Sequence, residues 1–288
     1  MKKILLQLDT DPQPSVFDRV VAVDAGADEV FSYGGVKPEH VQTLVHGAIF
    51  TRAAMELKHT AIFVGGSDVR AAEELLTEVL KHMIPQFGLR VSVLLDANGA
   101  NTTAAAAVCA AAKNLPLSGL AALVLGGTGP VGQRVARLLA REGAQVRVGS
   151  RQEARAAAVC RAIADKVPAA KLTPVATGTS EELTAALQGR LLVIAAGAAG
   201  SVLLPKAAWQ QCPTLKVAID LSAVPPLGIE GVEVTDKAVQ RHGVICYGAI
   251  GIGGTKMKAH KAALARLFES NDQALDAEEV YQIAKSLG

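Results

Sequence analysis

A glycine-rich segment in the middle of the chain has the residue types and spacing that hold a pyrophosphate. Gly127, Gly129 and Gly132 form a G-x-G-x-x-G pattern between an apolar run at 121–125 and an amphipathic helical pattern. The first glycine permits a tight turn, the second lets the backbone approach the phosphates, and the third lets the helix pack on its strand. We predict a dinucleotide site here, and a turn made only for packing is the alternative. The residues of this predicted site are Gly127, Thr128, Gly129, Pro130, Val131 and Gly132.

The residues after the next apolar run, 145–148, indicate which dinucleotide is bound. An NAD-binding protein places Asp or Glu about 20 residues beyond the loop, on the ribose 2′-hydroxyl. This chain has Ser150 and Arg151 there, with Arg155 one helical turn further on. A carboxylate would repel a 2′-phosphate, whereas a hydroxyl and a guanidinium bind one. We therefore predict NADP as the cofactor. The alternative is that Arg151 only begins a solvated helix face.

Small residues follow a later apolar run at 191–195. Ligands of open α/β sheets bind outside the carboxyl ends of the strands. We therefore expect Ala196 and Ala198 to let the nicotinamide ribose approach closely. Asp220, near the end of the run 216–221, is more typical of a carboxylate that caps loop amides.

A second glycine-rich segment, 248–254, leads into a helical pattern with Lys256 and His260 four residues apart. The two side chains share one helix face, although composition alone favours a solvated face. After the run 90–95, Asn101 or Thr102 is the natural cap of the next helix.

Other catalytic patterns are missing from the sequence. The six histidines have no metal-ligand spacing, and the acidic pair at 9 and 11 lacks a third ligand, so we predict no metal. The chain has no G-x-S-x-G nucleophile motif.

The elements that must position these residues follow from hydrophobic patterning. Apolar runs alternate with helical patterns, which predicts an α/β protein with parallel sheets. The predicted strands are near-continuously apolar, as are strands buried on both faces. They lie at 3–8, 60–65, 90–95, 121–125, 145–148, 191–195, 216–221 and 244–247. The predicted helices lie at 69–84, 102–113, 131–142, 152–166, 180–187, 259–268 and 276–287.

Length and composition narrow the class of protein. The chain has 288 residues, of which 50% are hydrophobic and 19% are charged, and its net charge is +2. The length suggests two domains, with the cleft between them as the expected site. The weak charge predicts no nucleic-acid partner, and the short, glycine-broken apolar stretches predict no membrane span. The four cysteines lack C-x-x-C spacing, which favours reduced thiols and a cytoplasmic location.

Seven strings of the sequence have a family likeness, and several of them lie outside the generic nucleotide fold. They lie at 9–18, 61–66, 101–106, 127–132, 225–229, 251–260 and 267–270. They resemble the NADP-dependent methylene-tetrahydromethanopterin dehydrogenases of methylotrophic bacteria, and the resemblance covers essentially the whole chain. It implies a Rossmann-type NADP domain at 104–268 and an α/β pterin-binding domain at 1–103 and 269–288, closed by the C-terminal helix. It also implies a homotrimer or hexamer.

The resemblance implies that Phe17, Thr102, Lys256 and His260 form the pterin site. Phe17 would stack on the pterin or form a wall beside it, and Thr102 and His260 would hydrogen-bond it. Lys256 would either lie off the reaction axis, bonding a pterin carbonyl or amide, or be partly deprotonated by burial. The implied reaction oxidises methylene-tetrahydromethanopterin, or also methylene-tetrahydrofolate, to the methenyl form by direct hydride transfer to NADP. The alternatives are a shikimate-type NADP dehydrogenase, which needs a proton-transferring Lys–Asp pair, and a non-catalytic NADP-sensing module.

Overall fold

The computed structural model describes residues 1–288, which divide into two compact units. The first unit comprises Met1–Thr102 and Met257–Gly288, and the second comprises Thr103–Lys256. Two helices contain the division points, α4 (Ala100–Ala112) and α9 (Ala249–Arg266). Residues 257–268, which the sequence analysis assigned to the nucleotide-binding domain, belong to the first unit.

The first unit contains a five-stranded sheet in which every neighbouring pair is parallel, in the order β12-β4-β3-β1-β2. Its strands are β1 (Ile4–Asp9), β2 (Glu29–Tyr33), β3 (Thr60–Gly65), β4 (Ser92–Leu95) and β12 (Ala274–Leu275). Its helices are α1 (Val16–Asp24), α2 (Pro38–Ile49), α3 (Val69–Lys81) and α10 (Ala277–Ser286). Because β12 pairs with β4, the C-terminal segment is part of this unit.

The second unit contains a seven-stranded sheet in the order β10-β11-β9-β8-β5-β6-β7. The strands are β5 (Ala121–Leu125), β6 (Gln145–Ser150), β7 (Lys171–Ala176), β8 (Leu192–Ala195), β9 (Val217–Asp220), β10 (Lys237–Arg241) and β11 (Val244–Tyr247). The helices are α5 (Pro130–Arg141), α6 (Glu153–Lys166), α7 (Ser180–Leu187) and α8 (Lys206–Gln210). Without the antiparallel edge strand β10, the order is the 3-2-1-4-5-6 arrangement of a Rossmann sheet.

The predicted strands correspond to the inner strands of the two sheets, and the missed ones are β2, β7, β10 and β12. These four are the edge strands. Edge strands are not buried on both faces, so they lack the continuous apolar run that marks a central parallel strand. All five residues of β10 are at least partly exposed, and β7 contains Pro174, which an edge strand tolerates.

Three helices, α1, α2 and α8, were also missed, and α9 begins ten residues before its predicted start at 259. The segment expected to be a glycine-rich loop is helical from Ala249 onward. Gly251 is required there, because a Cβ at this position would clash with the backbone carbonyl oxygen of Asp236. None of the helices is both long and apolar enough to cross a membrane.

Candidate functional site

The glycine-rich turn lies between β5 and α5, as predicted, and its tightness depends on backbone-to-backbone packing. Gly126 has a φ of +66°, and a Cβ there would lie 2.5 Å from the Cα of Gly197, in the turn after β8. The tight turn predicted at Gly127 is made by Gly126, which has the left-handed backbone. Gly127 is needed for a different reason, because its Cβ would lie 2.7 Å from Cγ1 of Val148 on β6.

Gly132, in the first turn of α5, packs directly on this turn. A Cβ there would clash with the carbonyl oxygen of Gly126 and lie 2.8 Å from the Cα of Gly127. This contact gives Gly132 the predicted packing role. Pro130 occupies the first position of α5, where a missing N–H costs nothing. The other N–H groups of the first turn have no partner within the helix.

Gly129 differs from its neighbours, because the protein itself does not require a glycine there. Its φ of −77° suits any residue, and its Cβ would meet only ordinary contacts, the nearest at 3.4 Å. No contact within the chain therefore requires glycine at this position.

Ser150 ends β6, and its hydroxyl accepts a hydrogen bond from the N–H of Gln152. Arg151 and Arg155 are exposed and form no ion pair within the chain. Thr177, after β7, donates its N–H to the carbonyl of Ser150. Sequence reasoning missed Thr177, because it follows an edge strand that had not been recognised.

Ala196 is buried against the glycine turn and donates its N–H to the carbonyl of Leu125. Ala198 is exposed. Asp220 has the structural role expected of it, since its carboxylate accepts N–H bonds from Ser222 at 2.9 Å and Ile229 at 2.7 Å. Burial raises the pKa of Asp220, and these backbone donors oppose that shift.

Lys256 lines a cavity of about 220 Å³ that lies wholly within the second unit. The cavity lies beyond the carboxyl end of β9. Its lining is mainly apolar and consists of Thr103, Leu221, Ala223, Ala249, Ile250, Ile252 and Lys256.

In the first unit, the structure brings together three of the predicted pterin-site residues. His260 is 1% exposed. Its ring stacks on Phe63, with centroids 5.9 Å apart, and makes a T-shaped contact with Phe17, with centroids 6.1 Å apart. Phe17 itself is 51% exposed. Thr102 is buried, and its hydroxyl donates to Asp96, whose carboxylate also faces His260.

Asp96 organises this region. Its Oδ1 accepts N–H bonds from Asn101 at 2.9 Å and Thr102 at 3.1 Å, and its Oδ2 accepts the Thr102 hydroxyl at 2.7 Å. Asp96, rather than Asn101 or Thr102, therefore caps the start of α4. Sequence reasoning missed Asp96 as a site residue because its partners are set by the turn after β4.

Asp18, on α1, is the second carboxylate beside His260, with Oδ1 3.7 Å from Nε2. Burial raises the pKa of the Asp18 carboxyl, while nearby His260 and the hydrogen bond to Ser15 act in the opposite direction. Asp18 lies next to Phe17 in the sequence, but nothing in the local pattern indicates a contact with a residue 242 positions later, at 260.

The strand order and the glycine turn define a two-domain α/β protein of the dinucleotide-binding dehydrogenase class. The chain is similar to shikimate 5-dehydrogenase from Listeria monocytogenes, with a TM-score of 0.58, 15% identity, and coverage of 100% of this chain and 96% of that chain. Quinate dehydrogenase from Corynebacterium glutamicum is similar with a TM-score of 0.53 and 16% identity, over 99% of both chains. At these identities the likeness shows the fold alone.

Sequence comparisons show the family. Residues 16–98 match the family model described as "Methylene-tetrahydromethanopterin dehydrogenase, N-terminal". The chain is 45% identical over 288 residues to "Bifunctional protein MdtA" of Methylorubrum extorquens, covering 99% of both. It is 30% identical over 294 residues to the "NAD(P)-dependent methylenetetrahydromethanopterin dehydrogenase" of the same organism, covering 98% of both. The chain belongs to the methylene-tetrahydromethanopterin dehydrogenase family, which confirms the resemblance.

The different surroundings of Gly129 and Gly132 predict different effects of alanine on stability. We expect Gly132→Ala to lower the free energy of unfolding by about 1–3 kcal/mol, because the added methyl group overpacks the turn. Gly129→Ala should change it by less than about 0.5 kcal/mol, because its Cβ has room. Chemical denaturation of both variants measures this difference. Equal destabilisation by the two changes would contradict the packing assigned here.

Proposed function

We propose that this protein oxidises the methylene group of methylene-tetrahydromethanopterin, or also of methylene-tetrahydrofolate, to the methenyl form with NADP in cytoplasmic one-carbon metabolism. The main support for the proposal is that the chain is 45% identical, along its whole length, to a relative in this family. The same chain contains a Rossmann sheet with a glycine turn after its first strand. That relationship favours a pterin substrate over the shikimate-type and NADP-sensing alternatives.

The residues of the second unit fit an NADP cofactor. Gly129 leaves its backbone open to the pyrophosphate, and the first N–H groups of α5 point a partial positive charge toward it. The hydroxyl of Ser150 and the free guanidinium groups of Arg151 and Arg155 suit a 2′-phosphate. When bound, NADP supplies the nicotinamide ring that accepts the hydride. Small residues at Ala196 and Ala198 leave space for its ribose.

The chemistry needs no general base. The reacting carbon lies between two nitrogens, so loss of hydride leaves a methenyl cation that those nitrogens stabilise, and no proton is released. The protein therefore has to position the two reactants, and correct positioning lowers the activation free energy of such transfers by a large amount.

The proposed pterin contacts are Phe17, Thr102, His260 and Lys256. The exposed ring of Phe17 offers a stacking surface, and His260 lies directly behind it. A positive charge on Lys256 would oppose the developing cation, so we place its ammonium group off the reaction axis, on a polar group of the pterin.

The first test is turnover by purified protein with NADP and each methylene carrier, followed by the absorbance of NADPH. We expect turnover with at least one carrier and loss of most of it in Lys256→Met, with NADP affinity unchanged. Lys258→Met is the matched control, because Lys258 is an exposed lysine on the same helix. Silence with both carriers would refute the proposed function. Full activity of Lys256→Met would remove Lys256 from the mechanism.

The cofactor assignment predicts two separable effects on affinity. Arg151→Gln should weaken NADP by about 10–100-fold and leave NAD unchanged, because it removes a charge-assisted bond to the 2′-phosphate. Gly129→Ala should weaken NADP and NAD alike, because its methyl group meets the pyrophosphate common to both. Calorimetric titration of each variant with each dinucleotide checks this. An equal loss of both dinucleotides in Arg151→Gln would contradict the assignment.

We further propose that the chain assembles as a homotrimer or hexamer. An apolar stripe on α1 supports this: Val16, Val20 and Val23 recur at helical spacing and are all more than half exposed. We expect Val20→Glu to reduce the molar mass measured by light scattering to that of smaller species. Met55→Glu, at an exposed position outside α1, is the control and should not change it. A wild-type monomer would refute the proposed assembly.

A further inference from the structure

The imidazole of His260 has an unusual environment in the first unit. Both of its nitrogens are buried and neither makes a hydrogen bond. Each faces a carboxylate: Nδ1 lies 3.5 Å from Oδ2 of Asp96, and Nε2 lies 3.7 Å from Oδ1 of Asp18. Buried polar atoms without partners are rare in folded proteins, so this arrangement calls for an explanation.

The chemistry of the three groups sets their total charge. A carboxylate can only accept hydrogen bonds, whereas a neutral imidazole has one N–H and one acceptor nitrogen. Favourable contact with both carboxylates therefore requires a second proton, held either on Nε2 of His260 or on Asp18. In the first form an imidazolium lies between two carboxylates, and in the second a neutral imidazole lies beside a protonated Asp18. In both forms the net charge of His260, Asp18 and Asp96 together is minus one.

No cation offsets this charge. Asp9, at the end of β1, adds another buried carboxylate, which accepts N–H bonds from Asp11 and Ser15. No lysine or arginine forms an ion pair with Asp9, Asp18 or Asp96. Lys261, next to His260 on α9, pairs instead with Asp24 at 2.7 Å.

The location of the cluster is that of a ligand site. Asp9 ends β1 and Asp96 follows β4, so both lie at the carboxyl edge of the parallel sheet, where ligands of open α/β sheets bind. Phe17, half-exposed, covers the edge of the His260 ring.

We propose that Asp18 and Asp96 are positioning residues that hold His260 in an anionic cluster, which favours the cationic methenyl product over the neutral methylene substrate. The inference rests on the proposed function and deepens it. A negative charge close to the pterin lowers the free energy of the state in which positive charge has developed, and burial strengthens the effect.

The test compares the affinities for methenyl- and methylene-tetrahydromethanopterin, measured by calorimetry without NADP so that no turnover occurs. Asp18→Asn removes one of the two carboxylates that face His260. We expect it to weaken methenyl binding at least about fivefold more than methylene binding. Asp96→Asn should do the same. Asp24→Asn, at an exposed carboxylate on α1, is the control and should change neither affinity.

A purely structural role predicts another result, because a displaced His260 would weaken both pterins by the same factor. Equal losses in Asp18→Asn would therefore overturn the proposal. If wild-type protein binds neither pterin, the proposed function itself fails.

Discussion

Backbone N–H groups at the carboxyl edge of a parallel sheet need hydrogen-bond acceptors, which either the protein or a ligand can supply. Both units are built to meet this requirement. The second unit meets it with glycines. Gly126 and Gly132 allow the turn and α5 to pack backbone against backbone, and Gly127 leaves room for the Val148 side chain, so that α5 starts close to the sheet. The first N–H groups of α5 then remain available to an anion.

The first unit meets the same requirement with buried carboxylates. Asp9 accepts N–H bonds in the loop after β1, and Asp96 accepts those at the start of α4. One edge is therefore suited to a phosphate and the other to positive charge. This division matches the proposed reaction, in which an anionic dinucleotide takes a hydride from a pterin that becomes a cation. Because no proton is released, neither edge needs a general base.

Much of the fold could be predicted from the sequence because burial leaves a local signature. The central strands are buried on both faces and read as short apolar runs, and β3 is an example in which every residue is buried. The edge strands carry no such signature, and β2 and β10 were missed for that reason. The start of α9 was missed because its glycines look like a loop, although Gly251 is required by the approach of the backbone at Asp236.

Residue types and their spacing were enough to predict the alternation of strands and helices, the turn between β5 and α5, the polar residues at the end of β6 and the family of the chain. These features depend on neighbours within a few positions. The three-dimensional structure was needed to show that Gly126 has the left-handed backbone, because this conformation depends on the approach of Gly197. The three-dimensional structure also shows that Asp18 and Asp96 lie on either side of His260. Residues so far apart along the chain meet only after the parallel strands have brought their carboxyl ends to one edge.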